Sequence, residues 1–179
     1  YPMHPDEGNM VNAVRQLNCK FPISNFQNCF NPHFFAYGQL PLYLGYLIVY
    51  LLKFFDGDLG FPISVQEATI SLRILSAIAS IINVFVLVKI IKIIIFNKFS
   101  KLNFQLFSLV IIIFSPYAIQ FAHFGTTESL LMLFYSLIIY LSMLMFERRT
   151  TGTVVQLALV SGLAIAAKVS SILFLAVPV

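Results

Sequence analysis

Four long apolar runs dominate this chain: Ile70–Phe96, Leu102–Ile119, Ser129–Phe146 and Val154–Val177. Each approaches or exceeds the roughly 20 residues a helix needs to cross the hydrocarbon core of a bilayer. No water is available at that depth to satisfy backbone amides, so runs of this length become helices. Composition agrees: charged residues make up 10% of the chain and hydrophobic residues 59%. A soluble domain carries about 25% charged residues. The expected fold class is all-α, a polytopic transmembrane helix bundle with the lipid bilayer as its solvent. The formal net charge of +4 reads as an orientation signal. No basic stripe interleaves with exposed aromatics, so no nucleic acid partner is expected.

Basic loops set the orientation. Lys89, Lys92, Lys98 and Lys101 gather where the first run ends and the second begins, and Arg148 and Arg149 lie between the third and fourth. Both loops should be cytoplasmic. The turn "SPYAIQFAHFGTTES" is then external, as is the start of the first run near Glu67 and Arg73.

Residues 1–56 read as a first external loop, and 57–179 as the bundle. Pro5 and Asp6 suit a helix start, and Met10, Val11, Val14 and Leu17 fall on one face. That pattern predicts a short amphipathic helix at the membrane surface. "LPLYLGYLIVYLLKFF" (Leu40–Phe55) has about 16 residues, at the short limit for a span. Its tyrosines and its acidic "DGD" exit favour an interfacial segment. Asp6 and Glu7 then share the external side with His123 and Glu128; a spanning segment would put them on opposite sides. The chain lacks an initial Met and stops within "ILFLAVPV", so both ends are expected to be cut from a longer protein. Cys19 and Cys29 lie in the polar first segment, as a disulfide or as two free thiols.

Chemistry concentrates at three places. The first is "HPDE", with His4, Asp6 and Glu7. Adjacent helical side chains diverge by about 100°, which suits one base and one structural acceptor. The plainer alternative is a helix cap. One His beside two carboxylates is thin support for a metal, so no cofactor is expected, a divalent cation being the single candidate. The second place is the external turn, where His123, Thr126, Thr127 and Glu128 stand at a helix start. The third is Lys168, inside the apolar "GLAIAAKVSSILFL". An intramembrane Lys marks a functional site by default, unless it snorkels to the interface. Arg73 could assist Lys168 with an anionic group, or anchor its helix at the interface.

These segments, in this order, resemble the GT-C membrane glycosyltransferases, and most closely the protein O-mannosyltransferase and aminoarabinose-transferase branch. "HPDE" resembles the Asp-Glu pair of its first external loop. "FNPHFFAYGQLPLYL", "RILSAIASIINVFVLVKIIK", "SPYAIQFAHFGTTESLLMLFYSLIIYL" and "GLAIAAKVSSILFLAVPV" resemble the stretches that follow. The resemblance implies a GT-C bundle with juxtamembrane helices in the first loop. It implies sugar transfer from a polyprenyl-phosphate donor to an acceptor hydroxyl on a protein, lipid or glycan, at the external face of the cell membrane. By position, Asp6 and Glu7 would be catalytic, Lys168 would approach the donor phosphate, and His4, His123, Glu128 and Arg73 would line the substrate site. Glu128 stands where many members carry Asp. A transporter or lipid flippase, or a non-catalytic membrane scaffold, is the competing reading.

Overall fold

A computed structural model describes residues 4–17, 31–57, 62–96, 107 and 110–176. Cys19, Cys29, Lys98 and Lys101 lie outside the described residues, as does much of the run 102–119. The described chain is helical: α1 (Pro5–Gln16), α2 (Leu40–Asp56), α3 (Val65–Phe96), α4 (Pro116–His123), α5 (Glu128–Glu147), α6 (Thr151–Ala167) and a 3-10 segment, Val169–Ala176.

Among the described residues, two helices, α3 over Val65–Ile94 and α5 over Glu128–Glu147, are long and apolar enough to cross a membrane. With 32 residues, α3 extends about 48 Å and overreaches a hydrocarbon core of about 30 Å. The outward faces of α3 and α6 are apolar, with Ile78, Ile81, Phe85, Val154, Val155 and Leu159 exposed. A contiguous apolar exterior of this kind suits lipid rather than water.

Small and branched residues seal the bundle interior. Ile138 and Ala167 are fully buried among Ala79, Val86, Leu141, Leu157 and Ala164. Two buried serines close locally onto helix carbonyls: Ser71 Oγ donates to Ala68 O at 2.9 Å and Ser142 Oγ to Ile138 O at 2.6 Å. Such back-bonding satisfies a hydroxyl that lipid cannot.

A second core joins α1, α2 and α3 through Met10, Val11, Val14, Leu17, Leu42, Val49 and Leu72. The apolar face of α1 is therefore covered by protein, where the sequence pattern alone suggested a lipid surface. Gly45 marks the convergence: a Cβ there would come within 2.8 Å of Leu72 Cδ2 and 3.5 Å of Val14 Cγ2.

Two apolar runs break, the second at the proline that the sequence offered as an interruption and the fourth where a single helix was expected. The described part of the second run stops at Phe114, and a new helix begins at Pro116 behind Ser115. A proline lacks the N–H that would continue the ladder but suits the first turn of a helix. The fourth run breaks at Lys168, whose backbone is extended (φ −157°, ψ 125°). The chain resumes as the 3-10 segment, held to α5 by Tyr135 stacked on Phe174 at 3.6 Å and by Tyr135 Oη 3.0 Å from Ser171 Oγ.

Candidate active site

The start of α1 separates its two carboxylates. His4 is the cap: its Nδ1 accepts from Asp6 N–H at 3.3 Å, and Pro5 opens the helix. The carboxylates of Asp6 and Glu7 are thereby released from capping, and they diverge. Glu7 turns inward and is completely buried. Its Oε1 accepts from Arg73 Nε at 2.8 Å and from the Gly125 amide at 2.8 Å, and its Oε2 accepts from Arg73 Nη2 at 3.0 Å. A two-point guanidinium–carboxylate pair is the strong, directional form of ion pair. One carboxylate thus ties α1 to α3 and to the turn before α5. Gly125 is required for close approach, since a Cβ there would lie 2.6 Å from Leu72 Cβ and 3.2 Å from Glu7 Oε1. In the same turn Thr126 and Thr127 bury hydroxyl oxygens that have no hydrogen-bond partner among the described residues.

Asp6 turns the other way. Its side chain is 39% exposed, and its Oδ2 lies 3.8 Å from His4 Nδ1. It faces Tyr37, the residue before Gly38 on the loop leading into α2. Burial, hydrogen bonding to Asp6 and the charges of Asp6 and Glu128 together raise the Tyr37 phenol above its usual value of 10.0. The phenol therefore stays protonated and can donate.

Lys168 completes the cluster. Its Nζ sits 5.3 Å from the centre of the Tyr37 ring and 3.5 Å from Glu128 Oε1. The first distance is within cation–π range, and the second is a loose ion pair between side chains that are 33% and 25% exposed. The helix break accounts for this placement. Lys168 N–H makes the last α-helical bond, to Ala164 O at 3.0 Å, and the Ala167 carbonyl is taken by Gly38 N–H at 3.1 Å. Gly38 packs directly on the Ala166 carbonyl, where any Cβ would overlap it. The Lys168 side chain consequently lies at the end of α6, level with the start of α5, and not midway along a helix as its apolar neighbours suggested.

These contacts also place α2. Its leading end is tied to Ala167 through Gly38, and at its trailing end Lys53 Nζ meets Glu67 Oε1 at 2.9 Å. Glu67 opens α3, six residues before Arg73. Both ends of α2 are held at one end of the bundle, the end where Glu128 and Lys168 also lie.

The remaining candidates fall outside that cluster. Arg73 is drawn into the buried pair with Glu7, so both belong to the framework rather than to an open reactive surface. His123 is exposed and makes an edge contact with Phe124, ring centres 6.0 Å apart; His4 touches the same ring at 5.7 Å. Tyr37, Gly38 and Gly125 did not stand out in the sequence. Nor did the Ser64-x-x-Glu67 capping box, although its spacing was readable. Deeper in the bundle, a cavity of about 660 Å³ opens between α3 and Ile111–Ala122, with apolar walls and the Asn83 side chain. It is suited to hydrocarbon rather than to sugar.

Comparison with known proteins adds one firm result. No curated protein and no solved structure matches the chain. A family model does match, over residues 58–178. That stretch takes in Arg73, Glu128 and Lys168 and begins after Asp6, Glu7 and Tyr37. The chain belongs to the dolichyl-phosphate-mannose-protein mannosyltransferase family, a polytopic GT-C family of membrane glycosyltransferases.

Proposed function

We propose that this protein transfers a sugar, mannose by its family, from a polyprenyl-phosphate donor to a hydroxyl on a protein acceptor at the external face of the membrane. One observation carries the reading. Of two adjacent carboxylates, Glu7 is sealed while Asp6 stays half-open, at the end of the bundle where Lys168 is only loosely paired.

That arrangement fits the two needs of the reaction. The acceptor hydroxyl is a poor nucleophile, and Asp6 would take its proton as the oxygen attacks the anomeric carbon. The bond from that carbon to the phosphate oxygen breaks, and its electron pair leaves with the prenyl phosphate. Lys168 would neutralise the charge that grows there, exchanging Glu128 for the phosphate. Glu7 and Arg73 would hold the start of α1 so that Asp6 keeps its place.

Membranes carrying the whole protein should move label from radiolabelled dolichyl-phosphate mannose to protein. The opposing result is unaltered donor moved across the bilayer, which is transport, or no reaction, which is a scaffold. Sidedness is read by single cysteines at Asn9 and His123, both exposed, with Cys19 and Cys29 replaced by Ser. Both should react with an impermeant thiol reagent on intact cells.

A further inference from the structure

Tyr37 stands between the two halves of the proposed chemistry, and it lies outside the stretch matched by the family model. Its ring centre lies 5.3 Å from the Lys168 ammonium, and its hydroxyl is near enough to Asp6 for hydrogen bonding and charge from that carboxylate to help raise the phenol. Neither contact is left to a mobile loop. The next residue, Gly38, is fixed to the end of α6 through its amide and its lack of a Cβ. Phe34 braces the ring edge-on, with centres 5.6 Å apart.

Packing alone would be served equally well by Phe, which has the same ring and can stack on Phe34 and beneath a cation. What Phe cannot do is donate to a carboxylate. An aliphatic residue would lose both contacts. The two jobs are therefore separable by substitution.

We propose that Tyr37 is a positioning residue for sugar transfer, its hydroxyl aiming the Asp6 carboxylate at the acceptor and its ring face holding Lys168 where the donor phosphate arrives. The proposal rests on the transferase reading above. A carboxylate with one hydrogen bond fixed has fewer orientations to lose before it accepts a proton, which affects turnover. A lysine held over an aromatic face is already gathered near its target, which affects donor use.

The test is a split between kcat and donor KM, measured with dolichyl-phosphate mannose in membranes holding equal amounts of each variant. Tyr37→Phe keeps the ring and should fold normally. It is expected to lower kcat by about 10- to 100-fold, the weight of a hydrogen bond to a charged group, with donor KM within about twofold. Tyr37→Leu should lower kcat similarly and also raise donor KM by about 3- to 30-fold, the range of a cation–π contact. Phe35→Leu, at an exposed neighbouring position, should match wild type. Wild-type kcat in Tyr37→Phe would overturn the role of the hydroxyl, and an unchanged donor KM in Tyr37→Leu would overturn that of the ring. If wild type is active and both variants match it, only this proposal fails; an inactive wild type overturns the transferase reading and this proposal together.

Discussion

Two ion pairs at the same end of this bundle differ in every physical respect. The Glu7–Arg73 pair is short and two-pointed, and its carboxylate is completely buried with a further bond from a backbone amide. The Lys168–Glu128 pair is 3.5 Å long, single-pointed and part-exposed on both sides. A saturated buried pair has little left to offer a ligand, and removing one partner strands a charge. A loose, half-solvated pair contributes little to stability and can exchange one partner for a substrate at small cost. The difference teaches where to look for chemistry: at the residues whose interactions are incomplete. Asp6 belongs with the second region although it is bonded in sequence to the first.

The largest expected effect separates those neighbours directly. Asp6→Asn keeps size, and the cap at this terminus is His4 rather than Asp6, so folding should be preserved. Loss of a positioned base lowers turnover by about 10²–10⁴-fold. Turnover per folded molecule and the unfolding midpoint in detergent should therefore diverge, with the first collapsing and the second unmoved. Normal turnover would reduce Asp6 to a helix-start residue and break the comparison.

Glu7→Gln should do the reverse. It removes the carboxylate charge from the pair with Arg73, and breaking a buried pair costs about 3–5 kcal/mol. Gln retains an oxygen for the Gly125 amide, so what remains folded should still turn over. The readout is the amount of folded protein and its unfolding midpoint. A Glu7→Gln protein as stable as wild type but inactive would move the catalytic assignment onto Glu7.

How much of this was legible in the sequence follows from the range of each interaction. The two long apolar helices, α3 and α5, could be read, because length and hydrophobicity are local properties. So could the break at Ser115–Pro116 and the shared face of Met10, Val11 and Val14. The Glu7–Arg73 pair could not be foreseen, since it joins residues 66 apart in the chain and both types look equally plausible as active-site groups. The break at Lys168 has no Gly or Pro to announce it. It depends on Gly38 arriving from another segment to take the Ala167 carbonyl. Tyr37 was hidden for the same reason, as one aromatic among many in "FNPHFFAYGQLPLYL". Its meaning comes from what tertiary structure sets around it.

Lys168→Met tests the open region with a smaller effect. It preserves length and apolarity and removes the charge that would meet the donor phosphate. A charge-assisted hydrogen bond is worth about 1.5–3 kcal/mol, so donor KM should rise about 10- to 100-fold while the acceptor KM holds. The fold should tolerate the change, because a part-exposed 3.5 Å pair carries little stability. Strong destabilisation with unchanged donor KM would show Lys168 and Glu128 to be a structural pair after all.

The smallest effect comes from a third pair, intermediate between the two regions. Lys53 is buried, with 8% of its side chain exposed, while Glu67 is 34% exposed at 2.9 Å. Glu67 is also held by a reciprocal cap. Ser64 N–H donates to its Oε2 at 2.7 Å, and Glu67 N–H donates to Ser64 Oγ at 3.1 Å. This capping box starts α3 and aims Glu67 at the end of α2. Ser64→Ala removes one arm and leaves the ion pair in place, so the cost should be that of a helix cap, about 1 kcal/mol. The unfolding midpoint should fall by a few degrees while kcat and donor KM stay at wild-type values. Because α2 is pinned at both ends, loosening one should leave Gly38, and with it Tyr37 and Lys168, where they are. A Ser64→Ala protein that lost donor affinity would show that the two ends of α2 are coupled, and that the boundary between framework and reactive cluster lies further from Asp6 than Glu7.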